Sequence, residues 1–169
     1  LVVNGSAIDD QARYNTTSVY TAARIFPMLP EKLSTDLTSL NFNEDRLSIV
    51  IEMVVNTDGS LHHSDIYRAV VRNHAQLAYN SVAAWLAGNG SAPDMITIVD
   101  GLAENLRLQD QAAQHMQKFR QQHGALSFET IETKPRFDGE QIQELEVQTR
   151  NRTKEMIKDF MIAANAVVA

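Results

Sequence analysis

Asp9 and Asp10 stand side by side, and paired carboxylates can hold a hard cation. The same stretch, Ser6-Ala-Ile-Asp9, also has the form of a helix-capping box with Asp9 in place of the usual Glu. No third carboxylate lies nearby, so a capping Asp9 beside a solvated Asp10 is the better account. The histidines do no better as metal ligands. His62 and His63 are neighbours on an expected strand and would point to opposite faces. His115 and His123 lie more than two helical turns apart, and His74 has no evident partner. The chain has no Gly-rich phosphate loop, nucleophile elbow or zinc spacing. Two aromatics remain. Tyr20 stands in an aperiodic segment and Phe128 at a strand end after Gly124. An aromatic off the periodic apolar face can serve as a stacking platform for bases, although spacing alone favours ordinary core packing.

These residues must be held by the elements around them. Leu47-Ser-Ile-Val-Ile-Glu-Met-Val-Val55 is β-branched and apolar on both alternating sets, which predicts a central strand covered on both faces. Asn56-Thr-Asp-Gly-Ser60 follows as a turn, with Asp58-Gly59 able to supply positive φ, and a second antiparallel strand is expected over Ile66–Val71. Before this hairpin, a short helix is expected over Ala7–Tyr14, then little periodicity from Val19 to Asp45. A segment that long and aperiodic inside a compact domain tends to be functional. After the hairpin, helices are expected over Ala75–Ala87 and, started by Ser91-Ala-Pro-Asp94, over most of Met95–Gln122. Ala125–Glu129, Lys134–Phe137 and Gln143–Gln148 read as strands, the middle one at an edge because of Pro135. A last helix runs from about Asn151 with Met156, Ile157, Phe160, Met161, Ala164, Val167 and Val168 as its stripe. This order gives an α+β class with a mainly antiparallel sheet packed against helices.

Composition sets outer bounds. The 169 residues suffice for one domain with a core, at 44% apolar and 21% charged. A net charge of −6 argues against a nucleic-acid surface over the whole chain, so any basic site is local. With no cysteine, there is neither a disulfide framework nor a thiolate metal site, and a cytoplasmic protein is the simpler expectation. No apolar stretch approaches the ~18 residues of a membrane span. The chain opens without Met and stops inside an apolar helical pattern, so it reads as a piece of something larger.

Thr17-Ser-Val-Tyr20, Ile25-Phe-Pro-Met-Leu-Pro30, Leu33-Ser34, Leu37-Thr-Ser-Leu40 and Asp45-Arg46 together resemble the catalytic domain of the ribonuclease II and ribonuclease R exoribonucleases. The resemblance continues through Gly124-Ala-Leu-Ser-Phe128, Thr149-Arg-Asn151 and Met161-Ile-Ala-Ala-Asn165, in one register over essentially the whole chain. It implies an RNB-type fold and processive hydrolysis of single-stranded RNA from its 3′ end to nucleoside monophosphates. It further implies a pair of divalent ions, usually Mg²⁺, that stabilise the attacking and leaving oxygens.

The family's clustered Asp motif, which holds those ions, would lie upstream of Leu1. Its phosphate-contacting Arg would lie later, so no catalytic residue is expected in this chain. Two family positions do carry over: Tyr20 and Phe128 match the aromatics that stack on the RNA bases. Asp159 keeps a carboxylate near the expected RNA path, whereas Lys158 puts a cation where the family has a carboxylate. Thr38 for the usual Cys and Asn4 for a Pro are further departures. The implied partners are single-stranded RNA and the remaining parts of the same enzyme. A non-catalytic RNA-binding or scaffolding relative is the alternative.

Overall fold

A computed structural model describes residues 2–21, 24–126, 133–139, 141–147 and 151–169. Helix α1, Ala7–Asn15, starts with half of the expected capping box: the Ser6 hydroxyl accepts from Asp9 N, but the Asp9 carboxylate accepts from Gly5 N at 2.8 Å, while Ser6 N donates to Val3 O at 3.1 Å. The segment beyond it holds a short ladder of β1 (Val19–Tyr20) with β2 (Ile25–Phe26), then a π-helical turn over Lys32–Leu37. Side chains hold this stretch in place of periodicity. Met28 N donates to Ser18 Oγ at 2.9 Å, Asn15 Nδ2 to Met28 O at 3.3 Å, and Ser34 Oγ to Leu29 O at 2.9 Å. Backbone groups around two prolines cannot all find ladder partners, and short polar side chains supply them.

Strands β3 (Asp45–Val55) and β4 (Leu61–Arg72) pair antiparallel, with Leu47 opposite Val70 and Ile51 opposite Ile66. The turn closes through Gly59 N to Asn56 O and Asn56 N to Ser60 O, each 2.9 Å. Gly59 alone supplies the positive φ, at +90°; Asp58 instead uses its carboxylate, accepting from Ser60 Oγ at 2.6 Å and Ser60 N at 2.9 Å. Those Ser60 donors, the hydroxyl first, hold the Asp58 carboxyl below its ordinary range.

The expectation of a central strand fails. Among the described residues β3 pairs only with β4, and no residue of either strand is fully buried. Both alternating sets are apolar because the ribbon changes its covered face along its length. Near the base Arg46, Ser48 and Val50 are half-buried; towards the tip it is Ile51, Met53 and Val55. Arg46 anchors the base, its Nε donating to Ser39 O at 3.1 Å and its Nη2 reaching Asp36 at 3.3 Å. Strong twist is expected of a two-stranded ribbon and carries the covered side round.

The core lies among helices rather than under a sheet. Val82, Ile96 and Leu106 form its buried centre, with Leu77, Trp85 and Leu102 packed around them. Helix α2 spans Tyr79–Leu86, shorter than expected, because residues 74–78 are not helical and alternate in burial. The expected long helix is broken in two, α3 (Asp94–Ile98) and α4 (Leu102–Gln122), by Gly101 at φ +69°. Both pieces face the same core, through Ile96 before the break and Leu106 after it, whereas Ile98, on the expected apolar period, is 71% exposed.

Strands β5 (Thr133–Asp138) and β6 (Gln141–Val147) form a further antiparallel ladder. Of the strand expected over Ala125–Glu129, Ala125 and Leu126 are not in a strand, and the rest lies outside the described residues. Helix α5 (Arg152–Val168) is capped by Asn151, whose side chain accepts from Thr153 N at 3.0 Å and Lys154 N at 3.1 Å. Its buried face is Thr153, Met156, Asp159 and Ala163; of the expected stripe Met156 is buried and Phe160, Ala164 and Val167 are half-buried, whereas Ile157, Met161 and Val168 are exposed. Helices and antiparallel strands thus give the expected α+β class, with the strands among the described residues in three separate pairs.

Candidate functional site

Tyr20 ends β1 opposite Ile25, in a hairpin closed by Thr21, whose Oγ1 donates to Arg24 O at 2.6 Å. Its side chain is 75% exposed, so it is not a core aromatic, and a ring face is open to a stacking partner. Just before the paired strand, the Arg24 guanidinium lies 5.2 Å from the Phe26 ring centroid. Phe128, the expected partner of Tyr20, lies outside the described residues.

Asp159 is 2% exposed and turned into the contact between α5 and α4, where it is ion-paired with Arg120. Further along the same contact, Asp110 is 4% exposed. It takes Arg152 Nε on Oδ1 and Gln114 Nε2 on Oδ2, each at 2.8 Å, with Arg152 Nη2 also on Oδ2. The Asp110 hydrogen bond pushes the Arg152 pKa up, so the pair is a fixed charge couple. Both carboxylates line a cleft of about 340 Å³ together with Gln114, Gln117, Arg152 and Glu155. Lys158 stays on the exposed side of α5 and is ion-paired with Glu155, so its cation is met locally, outside the buried face.

This network escapes the sequence reading, although a signal is present. Asp110 sits four after Leu106 and three before Ala113, on the buried stripe of α4; Asp159 sits three after Met156 on that of α5. A carboxylate in phase with buried apolar residues calls for a cation across the interface.

The other candidates take bland roles. Asp9 caps α1 and accepts from Arg13 at 3.4 Å, while Asp10 is exposed. The five histidines are exposed, and His123 Nδ1 lies 2.8 Å from Phe119 O. Among the described residues no three His, Asp or Glu are grouped to hold a metal ion, so this part of the molecule does not fit a two-metal centre. No helix among the described residues is long and apolar enough to cross a membrane.

The described residues form an α+β chain with an exposed aromatic hairpin. The RNB domain family model matches residues 1–169, and the chain belongs to that family. Ribonuclease R of Vibrio parahaemolyticus is 37% identical over 165 residues, covering 97% of this chain and 19% of that protein. Ribonuclease R of Escherichia coli is 37% identical over 163 residues, covering 96% and 20%. The chain therefore spans about a fifth of the length of these relatives. Among solved structures, Mycoplasma genitalium RNase R in complex with ribose-methylated single-stranded RNA matches at TM-score 0.89 and 26% identity, over 99% of this chain and 26% of that one. The same protein in complex with double-stranded RNA matches equally, over 29% of its chain.

Proposed function

We propose that this chain is part of an exoribonuclease that hydrolyses single-stranded RNA from its 3′ end, processively, to nucleoside monophosphates. Within it, the Tyr20 hairpin supplies a stacking surface for bases. The observation that carries the reading is the open Tyr20 ring on a chain of the RNB family, and RNA-bound RNase R structures support it. Stacking suits an enzyme that accepts any sequence, because every base offers a π-face. Phe128 is assigned to the opposite side of the stacked bases by the family resemblance alone. The place of Asp159 near the RNA path rests on the family resemblance alone; its carboxylate is buried and paired with Arg120. The enzyme works in the cytoplasm, a reading supported by the absence of cysteine.

Mg²⁺ would be held by carboxylates of the longer polypeptide, as the family resemblance implies. The 169-residue chain alone, incubated with Mg²⁺ and RNA, is therefore expected to release no nucleotides; metal-dependent release would overturn this division of labour. The scaffolding alternative draws on Lys158, but an exposed Lys158 paired with Glu155 gives it little support.

Tyr20 supplies the direct test. In the full-length protein, Tyr20→Ala should weaken binding of short single-stranded RNA by ~1–3 kcal/mol, about 5- to 150-fold, whatever the base sequence. The fold should stand, since the side chain is largely in water. A melting curve is run beside RNA titrations and a degradation ladder, for this variant and for Phe128→Ala. An unchanged ladder with a collapsed melting temperature would return either residue to a packing role.

A further inference from the structure

The Tyr20 hairpin carries a cation on its other face. Cross-strand partners share a face, so Tyr20 lies with Ile25, and Val19 with Phe26. Arg24, one residue before Ile25, falls on the Phe26 side, and its guanidinium lies 5.2 Å from the centroid of that ring. Its backbone is tied across the turn. Thr21 N and Oγ1 donate to Arg24 O at 3.0 and 2.6 Å, and Arg24 N donates to Thr21 Oγ1 at 3.0 Å. Arg13, Arg46 and Arg72 are each met by a carboxylate. Arg24 is exposed, and no Asp or Glu among the described residues comes within ion-pairing distance of it.

We infer that Arg24 binds a backbone phosphate of the single-stranded RNA whose base stacks on Tyr20. The inference rests on the stacking role proposed above and adds what stacking lacks, a grip on the sugar-phosphate backbone. A strand crossing the hairpin tip lays a base on the Tyr20 face and brings a neighbouring phosphate to the Arg24 face. An arginine suits this place. Its planar fork matches phosphate oxygens, and its plane rests against the Phe26 ring, so less side-chain freedom is left to lose on binding. With that ring face already covered, the guanidinium edge is left for an anion rather than for a second base. The chain as a whole carries a net charge of −6, so attraction to RNA must come from local cations, and this one stands beside the stacking ring.

The full-length protein is titrated with fluorescent single-stranded oligoadenylate and oligouridylate, with chelator present to keep the RNA intact, from about 50 to about 200 mM salt. Arg24→Gln should flatten the slope of log K against log salt by about 0.7, the contribution of one phosphate on a single strand. At the low-salt end its affinity should fall about tenfold, equally for both RNAs. Arg24→Lys keeps the charge and should keep the slope. Tyr20→Ala should weaken binding with the slope unchanged, because stacking on an uncharged ring releases no counterion. A full slope in Arg24→Gln overturns the inference; a lowered melting temperature beside it would give the guanidinium to a carboxylate of the longer polypeptide. A loss confined to one of the two RNAs also overturns it, since that would make Arg24 a reader of bases. The two proposals fail separately. If Tyr20→Ala weakens binding while Arg24→Gln keeps the parent's affinity and slope, only this inference falls. If Tyr20→Ala binds like the parent, the stacking reading falls and takes this one with it.

Discussion

Arg120→Met is expected to cost about 3–5 kcal/mol of stability, because it leaves the Asp159 carboxylate buried without a counter-charge. Asp159 is 2% exposed and has its cation on the neighbouring helix, so solvent reaches it poorly once Arg120 is gone. The Arg120 side chain is itself 26% exposed and the adjoining cleft admits water, which places the effect at the lower end of that range. At roughly 2–4 °C per kcal/mol for a chain of this size, the melting temperature should fall by on the order of 10 °C. The double variant Arg120→Met with Asp159→Leu should recover most of the loss, since removing both charges replaces an ion pair by apolar packing. A urea melt of the single and double variants checks this. A double variant no better than the single would mean that the pair's geometry, rather than its charge balance, holds α4 to α5.

Gly59→Ala is expected to lift the β3–β4 tip from α4, with a loss of about 2–6 kcal/mol. Two costs add. The backbone there has φ +90°, which side chains with a Cβ rarely adopt. A Cβ would also overlap the His115 carbonyl and come within 2.8 Å of Met116 N, both of them helix backbone that cannot swing aside. Gly88 separates the two terms. It has φ +75° but nothing within 4 Å of a Cβ, so Gly88→Ala should show the backbone term alone, about 1 kcal/mol. Denaturant melts of both variants measure the difference. Equal losses would show that close approach to α4 contributes nothing and that the hairpin tip yields freely.

What the sequence determined by itself is local. Ser6 and Asn151 as helix starts, Gly59 at the turn and the antiparallel pairing of Leu47–Val55 with Ile66–Val71 all follow from short-range rules of capping, turn chemistry and period. The Pro-Met-Leu-Pro block with its Leu-Ser spacing carried the family, because its hydrogen bonds run between Ser18, Met28, Leu29 and Ser34, all within one short stretch.

Only the tertiary structure decided which face each element covers. A β-branched run apolar on both sides reads the same whether a strand is sandwiched or whether a twisting ribbon covers first one face and then the other; β3 is the second case. The buried face of α5 departs from its apolar stripe for a related reason. Asp159 lies in phase with buried Met156, yet nothing local says that its carboxylate is buried, because the cation that meets it is 39 residues away in sequence and is set by how α4 and α5 are brought together. The break at Gly101 is likewise silent in the expected apolar period, which counts Ile98 as a core residue where the structure leaves it exposed. Local chemistry fixes the elements; burial and charge pairing are relations between distant residues, and they exist only once the chain is packed.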